Sequence, residues 1–439
     1  MKKQIICIMI VLFMNISFLG SVSAICEERA LDYELFKNKK LSNFEQTDYK
    51  MVIIAPSNFS DELQDLIIHK NDNDLSTYLM TIEDIYSGYS GFDNPEKIKY
   101  FIKDAIENHN ISYVLLVGDI DKIPTRNSAV KCSYYTFDYV PTDQYYADIY
   151  DENGSFCSWD SNGNNIYGEF WWEMDDNIVE YIDFVDLYPD VGIGRLPCKN
   201  KNEVKIVVNK IITYETSTYG KKWFNKIILM GGDTHPQHEG FEGEFVTEYI
   251  GGLMSGFKQI RIWTSNNTFR PFLINLILSG GAGFVSYSGH GLKYGISTNP
   301  PNKDRGIYYL SPYLIGLFNG NKLPIIFFDC CSTGTIDWTV LGIRLPCFAW
   351  SFVKKSSGGA IATIGASRMG YSGYVGDVLG AGTCRMNANF FDSYQPGIIL
   401  SDMFREAQIK YLDEVWKDCL TLEEYNLIGD PSLKVGGYP

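Results

Sequence analysis

Three residues of different chemistry stand just beyond three apolar runs of this chain: Asp233 after Lys226–Met230, His290 after Gly283–Tyr287, and Cys331 after Leu323–Phe328. A carboxylate, an imidazole and a thiol are the parts of an orienter, base and nucleophile set. A thiol is largely protonated near neutral pH, so it needs an imidazole to take its proton. The imidazole in turn gains from an acid that fixes its ring. The runs Gly231-Gly232-Asp233, Ser288-Gly289-His290-Gly291 and Asp329-Cys330-Cys331-Ser332-Thr333-Gly334 also bring glycines close to these groups. Glycine lets a substrate backbone approach, and the N–H groups of Gly291 and Cys331 are candidates for an oxyanion hole. Alone, each residue reads as ordinary core or loop chemistry; their joint placement at consecutive strand ends is the signal.

Such groups need rigid supports, and in open α/β sheets functional residues collect beyond the carboxyl ends of strands. Met51–Ala55 and Tyr113–Val117 read as strands buried on both faces. Ser60 is the expected cap of a helix burying Leu63, Leu66 and Ile67. Asn94 with Pro95 opens a second helix, with Ile98, Phe101, Ile102, Ala105 and Ile106 on one stripe. A third helix runs through Val207, Ile211, Ile212 and Tyr214. The second half repeats the rhythm with strands Lys226–Met230, Gly283–Tyr287, Leu323–Phe328 and Gly359–Ile364, and helices Phe245–Met254 and Asn267–Leu278. Residues 131–187, rich in Tyr, Asp, Asn, Gly and Trp, read as a long structured loop region. The alternation predicts an α/β layer architecture with mostly parallel strands and right-handed crossovers.

Composition narrows the function classes. The 439 residues carry 38 Lys+Arg against 53 Asp+Glu, a formal net charge of −15, with 45% apolar and 21% charged residues. Disorder is excluded by this apolar content, and an acidic chain without a basic run has no footprint for nucleic acid or an anionic membrane. Lys2 and Lys3, the apolar run Ile5–Leu19 and the small residues Ser21-Val22-Ser23-Ala24 predict a cleavable secretory signal over 1–24 and a secreted, extracellular protein. Ile25 stands where a lipid-attachment site at Cys26 would need a small residue. Ten cysteines become nine after cleavage, so at least one thiol of a monomer stays unpaired.

His290-Gly291, followed after another buried strand by Cys330-Cys331-Ser332-Thr333-Gly334, resembles the signature of the caspase, legumain and gingipain clan. Over about Lys50–Val435 the chain resembles the gingipain family of cysteine peptidases. The supporting stretches are Tyr113–Arg126, Pro141–Tyr146, Tyr188–Pro197, Gly289–Gly291, Asp329–Gly334 and Leu427–Leu433. The resemblance implies a three-layer caspase-like α/β fold in two side-by-side subdomains, 50–216 and 222–435, after a short N-terminal segment 25–49. It implies a cysteine endopeptidase acting on proteins or peptides, with no cofactor for catalysis. Cys331 matches the nucleophile, His290 the catalytic histidine, and Asp233 the position of the acid that orients it. Glu244 falls near the pocket acid of arginine-directed relatives, with Glu242 and Glu248 as neighbours, which suggests cleavage after basic residues. The chain departs from well-known members at both ends: little precedes the first strand, so no long inhibitory propeptide is expected, and no adhesin or immunoglobulin-like module is expected after Leu433.

Other constellations stand beside these. Asp160, Asn162, Asn164 and Glu169 alternate oxygen side chains around Gly163 as calcium loops do, although the twelfth position is Trp171 and the loop is no standard EF-hand. Relatives bind structural calcium, so an ion there competes with an Asn/Gly turn satisfying its own backbone. His235 and His238 invite a zinc reading, but Pro236 breaks the helical spacing that would require, and a cleft loop is preferred. Ser367 lacks a Gly-x-Ser-x-Gly elbow and reads as a cleft wall. The Tyr134–Tyr146 segment reads as packing. Two rival readings share the fold: a binding protein without turnover, and a transpeptidase that uses the same dyad.

Overall fold

The computed structural model describes residues 48–132, 136–173, 178–373, 376–415 and 418–439. The expected signal segment 1–24 and most of the 25–49 segment lie outside the described residues. Ten strands form one sheet: β1 (Met51–Ala55), β2 (Thr77–Thr81), β3 (Tyr113–Val117), β4 (Gly192–Leu196), β5 (Lys226–Gly231), β6 (Lys258–Trp263), β7 (Phe284–Ser288), β8 (Ile325–Asp329), β9 (Ala362–Ala366) and β10 (Tyr425–Ile428). Their order is β6-β5-β7-β8-β9-β10-β4-β3-β1-β2. Neighbours are parallel except β9 and β10. Because β10 is parallel to β4, the four strands of the first half run opposite to β5–β9. The carboxyl ends of the two halves therefore lie on opposite edges of the sheet.

Continuous apolar runs build the centre of this sheet because both of its faces are covered. Every residue of β1, β4, β7, β8 and β9 is buried, as parallel strands between helical layers require. The covering helices include α1 (Ser60–Asn71), α2 (Asn94–His109), α3 (Lys201–Ser217), α4 (Glu242–Leu253), α5 (Gly382–Asp392) and α6 (Leu400–Glu414). α1 packs on α3, and α5 packs on both α4 and α6.

Several local expectations need correction. The cap of α2 is Asp93, whose Oδ1 accepts the Glu96 N–H at 3.0 Å, so Asn94 is already helical. Ser60 caps nothing, since a 3-10 turn over Ser57–Phe59 runs straight into α1. The strand expected at Gly359–Ile364 lies at Ala362–Ala366. Within 131–187, much of the supposed loop region belongs to a second sheet of strands Arg126–Cys132, Thr136–Thr142, Tyr167–Glu173 and Ile178–Tyr181. Its short runs, interrupted by Asn, Asp and Gly, gave no long periodic signal. The half-buried edge strands β2 and β6 escaped for the same reason.

The two halves meet where β10 touches β4 through a single pair, Ile428 and Arg195. A buried ion pair reinforces this seam. Arg195 donates from Nη2 and Nε to Asp143 Oδ1 and Oδ2, each at 2.6 Å, and from Nη1 to the Ile123 carbonyl at 2.7 Å. Three of the sequence stretches singled out above therefore converge on one guanidinium. A fourth, Leu427–Leu433, supplies Asp430, which pairs at 2.8 Å with the fully buried Lys70 of α1; Lys70 also reaches Glu215 of α3 at 2.9 Å.

Candidate active site

The sheet register sets the three strand ends level. Ser288, the last residue of β7, pairs with Gly231 on one side and Asp329 on the other. Two residues beyond each stand Asp233, His290 and Cys331, with histidine on the central strand of the three. The chain then turns back on itself at His290: the short strand His290–Leu292 pairs antiparallel with Gly295–Thr298.

Gly291 brings this hairpin against the loop that carries Cys331. A Cβ built on Gly291 would lie 1.9 Å from the Cys331 carbonyl oxygen and 2.8 Å from Cys330 Sγ. Only a residue without a side chain fits there. After Cys331 the chain passes through Ser332 at φ 54°, a left-handed conformation costly for serine that is typical of tight functional turns. The Ser332 N–H donates to the Arg368 carbonyl at 2.6 Å, tying the loop to the segment after β9. Among the described hydrogen bonds the Cys331 N–H has no main-chain acceptor.

The imidazole of His290 is exposed, and its Nε2 lies 2.9 Å from the Thr234 carbonyl oxygen. A carbonyl can only accept, so Nε2 carries the hydrogen. In the neutral ring, Nδ1 is then the free base. The orienting contact expected from Asp233 thus comes from the next residue's main chain. The Asp233 carboxylate takes the Asn302 N–H at 2.7 Å on Oδ2, and burial pushes its pKa up. Asp233 exchanges main-chain hydrogen bonds with Asn299, 3.0 Å each way, which fixes the turn carrying Thr234. Sequence reasoning missed Thr234 because a carbonyl leaves no trace in residue identity. The His235 ring meets His290 edge-on, with centroids 6.1 Å apart, which places the His235–His238 segment beside His290.

Cys331 is a half-buried free thiol with Sγ 3.5 Å from the Gly370 carbonyl. Burial, followed by the nearby Glu424, pushes its pKa up to about 11. In the resting protein Cys331 is therefore a thiol rather than a thiolate. Cys330 points into the core and burial raises its pKa further still. The seven cysteines among the described residues whose side chains are placed are all free. Ser367, expected as a cleft wall, is instead fully buried beside this loop, where its carbonyl accepts the Thr335 hydroxyl at 2.9 Å.

The expected pocket acids are engaged elsewhere. Glu244 is buried and accepts from Thr264 Oγ1 at 3.0 Å, Ser265 N at 2.9 Å and Ser265 Oγ at 2.5 Å. Glu242 Oε2 accepts from the N–H groups of Thr234 and His235 at 3.1 and 3.3 Å, so it stiffens the orienting turn. Glu248 pairs with Arg261 on the surface. In the 160–169 loop, Asp160 accepts the Asn164 and Asn165 N–H groups, and Glu169 Oε2 faces the amides of Asn162 and Asn164 at 3.1 and 2.5 Å.

With this geometry in place, the comparisons with known proteins fix the family. The description "Peptidase family C25" matches residues 44–436. The chain belongs to peptidase family C25. Gingipain R2 of Porphyromonas gingivalis is 24% identical over 449 aligned positions, covering 95% of this chain and 51% of its own length. An uncharacterized protein of Archaeoglobus fulgidus is 24% identical over 65% of this chain and 68% of its own. This C25 chain spans about half the length of the first of these relatives. The crystal structure of the Arg-specific cysteine proteinase gingipain R superposes with a TM-score of 0.65 at 21% identity, over 89% of this chain and 79% of that one. A complex of the pro- and mature domains of the Porphyromonas gingivalis protein RgpB gives 0.64 at 20% identity, over 88% and 79%. These likenesses establish the three-layer caspase-like fold. No helix among the described residues is long and apolar enough to cross a membrane.

Proposed function

We propose that this C25 chain is a secreted cysteine endopeptidase that cleaves peptide bonds after basic residues, with Cys331 as nucleophile and His290 as general base and acid. The observation that carries the reading is the contact between His290 Nε2 and the Thr234 carbonyl, which leaves Nδ1 as the base on the strand end next to Cys331. As Cys331 Sγ bonds to the scissile carbonyl carbon, its proton passes to Nδ1. The resulting oxyanion is held by the N–H groups of Gly291 and Cys331. Nδ1 then protonates the leaving amine as the C–N bond breaks. Water attacks the thioester with Nδ1 as base, and the thiol is restored.

The likeness to gingipain R, described as an Arg-specific cysteine proteinase, supports a basic side chain at the cleavage position. The secreted location rests on the Met1–Ala24 sequence. A free Cys331 thiol favours turnover over the binding-protein reading, which a disulfide at that residue would have supported.

The test is labelling with peptidyl electrophiles carrying Lys, Arg, Asp or Leu, with the adduct located by mass spectrometry. An adduct on Cys331 that disappears in His290→Ala is expected; no adduct with any probe overturns the reading. Calcium in the 160–169 loop is a proposal of the same kind. Rotating the Asn162 and Asn164 amides would turn oxygens toward the ion that Glu169 faces. A rise in thermal midpoint on adding calcium supports it, and an unchanged midpoint rejects it.

A further inference from the structure

The hydrogen bonds around His290 form a circuit that closes through a residue the mechanism above does not use. Tyr287 stands on β7, three residues before His290, and is 0% exposed. Its hydroxyl donates to the Ser297 carbonyl at 2.6 Å and to the His290 carbonyl at 2.9 Å. One hydrogen shared by two acceptors makes a three-centre bond. Ser297 and His290 face each other across the hairpin, so the hydroxyl bridges its two strands. Gly289 leaves the space for this bridge, because a Cβ there would lie 2.5 Å from the Tyr287 hydroxyl oxygen.

The bridged strands carry the two sides of the contact that orients the imidazole. His290 opens the first strand. The second, Gly295–Thr298, leads into Asn299, which exchanges main-chain hydrogen bonds with Asp233 at 3.0 Å each way. Thr298 Oγ1 and Asn299 Nδ2 also donate to the Asp233 carbonyl, at 3.3 and 3.2 Å. The next residue is Thr234, whose carbonyl accepts from His290 Nε2. The Tyr287 hydroxyl therefore joins the main chain that bears the imidazole to the segment that places its acceptor. Its own anchor is rigid, since β7 is buried throughout and paired on both sides.

We propose that Tyr287 is a positioning residue for His290, acting through the bond from its hydroxyl to the two carbonyls of the hairpin. This deepens the peptidase reading and rests on it. Tyr287 touches neither substrate nor reacting atoms. It holds the His290 main chain at a fixed place over β7 relative to the Thr234 turn, and so fixes the direction in which Nδ1 faces Cys331. Without the hydroxyl the hairpin keeps its own strand pairing, but nothing on β7 ties it to the sheet at His290. The imidazole then samples positions in which Nδ1 no longer meets the thiol, and a misplacement of about 1 Å is worth about 100-fold in rate.

The experiment compares wild type, Tyr287→Phe and a protein with 4-aminophenylalanine in place of Tyr287, on one peptide substrate. Phenylalanine keeps the buried ring, which lies 6.1 Å from that of Phe269 between centroids, and removes only the donor. Tyr287→Phe should lower kcat by about 10- to 100-fold while KM changes less than about threefold. The amino group restores a donor at the same place, and kcat should return to within about threefold of wild type. A kcat unchanged in Tyr287→Phe overturns the inference. So does a loss that 4-aminophenylalanine leaves unrepaired, or one shared equally between kcat and KM, since either marks a general loosening of the core. Those outcomes, with wild type active, sink the Tyr287 assignment alone. No cleavage of any peptide by wild type, with no labelling of Cys331, sinks the peptidase reading as well.

Discussion

His290 donates its Nε2 hydrogen to the main-chain carbonyl of Thr234 at 2.9 Å. The ring is thus oriented by a group that substitution cannot remove, and the Asp233 side chain supports it only through the turn. Asp233→Asn should therefore keep most activity, with kcat reduced less than about tenfold, whereas His290→Ala should lose at least about a thousandfold. Steady-state kinetics of the two variants separate these outcomes, and equal losses would return the orienting role to the Asp233 carboxylate.

The thiol of Cys331 is held up to about 11 by burial and by Glu424. Only the thiolate alkylates, so the rate of reaction with iodoacetamide should climb about tenfold per pH unit from 7 to 9. A plateau at neutral pH would instead reveal a preformed thiolate–imidazolium pair.

Gly291 has no room for a methyl group, because its Cβ would meet the Cys331 carbonyl oxygen at 1.9 Å. Gly291→Ala should push the two loops apart and cut kcat/KM by about 100-fold or more. Far-UV circular dichroism should stay unchanged, since the central strands are not touched. Full activity in this variant would show that the hairpin can move away without loss.

Arg195 and Asp143 close the seam between the two halves of the sheet with no solvent exposure of the guanidinium. Removing one partner strands a buried charge. Asp143→Ala should cost about 3–5 kcal/mol in urea unfolding. A loss below about 1 kcal/mol would mean that the carbonyls of Gly118 and Ile123 suffice to hold Arg195.

Glu423 is buried beside Ser128, whose hydroxyl donates to it, and burial raises its pKa to about 8. A carboxyl raised in the folded state binds more protons there than in the unfolded chain, so its contribution is fully present below the unfolded value and is lost as pH rises through about 8. Glu423→Gln should therefore stabilise the protein more at pH 9 than at pH 5, by on the order of a few kcal/mol. Equal effects at both pH values would place the proton elsewhere.

The central strands and the order of chemistry along the chain were legible in the sequence. Strands buried on both faces must be continuous apolar runs, and the residues Asp233, His290 and Cys331 follow such runs directly. Edge strands such as β6 and the second sheet around Tyr167–Glu173 were hidden, because half-burial and short interrupted runs leave no strong period. The family signature marked Cys331 and His290 by residue type. It could not reveal Thr234, whose part is played by a carbonyl that every residue has. Only the tertiary structure decided that the two halves run in opposite directions, so that β5–β9 bring their carboxyl ends to one edge of the sheet and β1–β4 to the other. It also decided which acids are already occupied and which is not. Glu244 finds its donors on Thr264 and Ser265, whereas Glu424 finds none among the described residues. The sequence by itself determined which side chains must be buried and which could react, since both follow from the residues and their local pattern. Hydrogen-bond satisfaction depends on groups far apart in the chain, and only folding sets those distances.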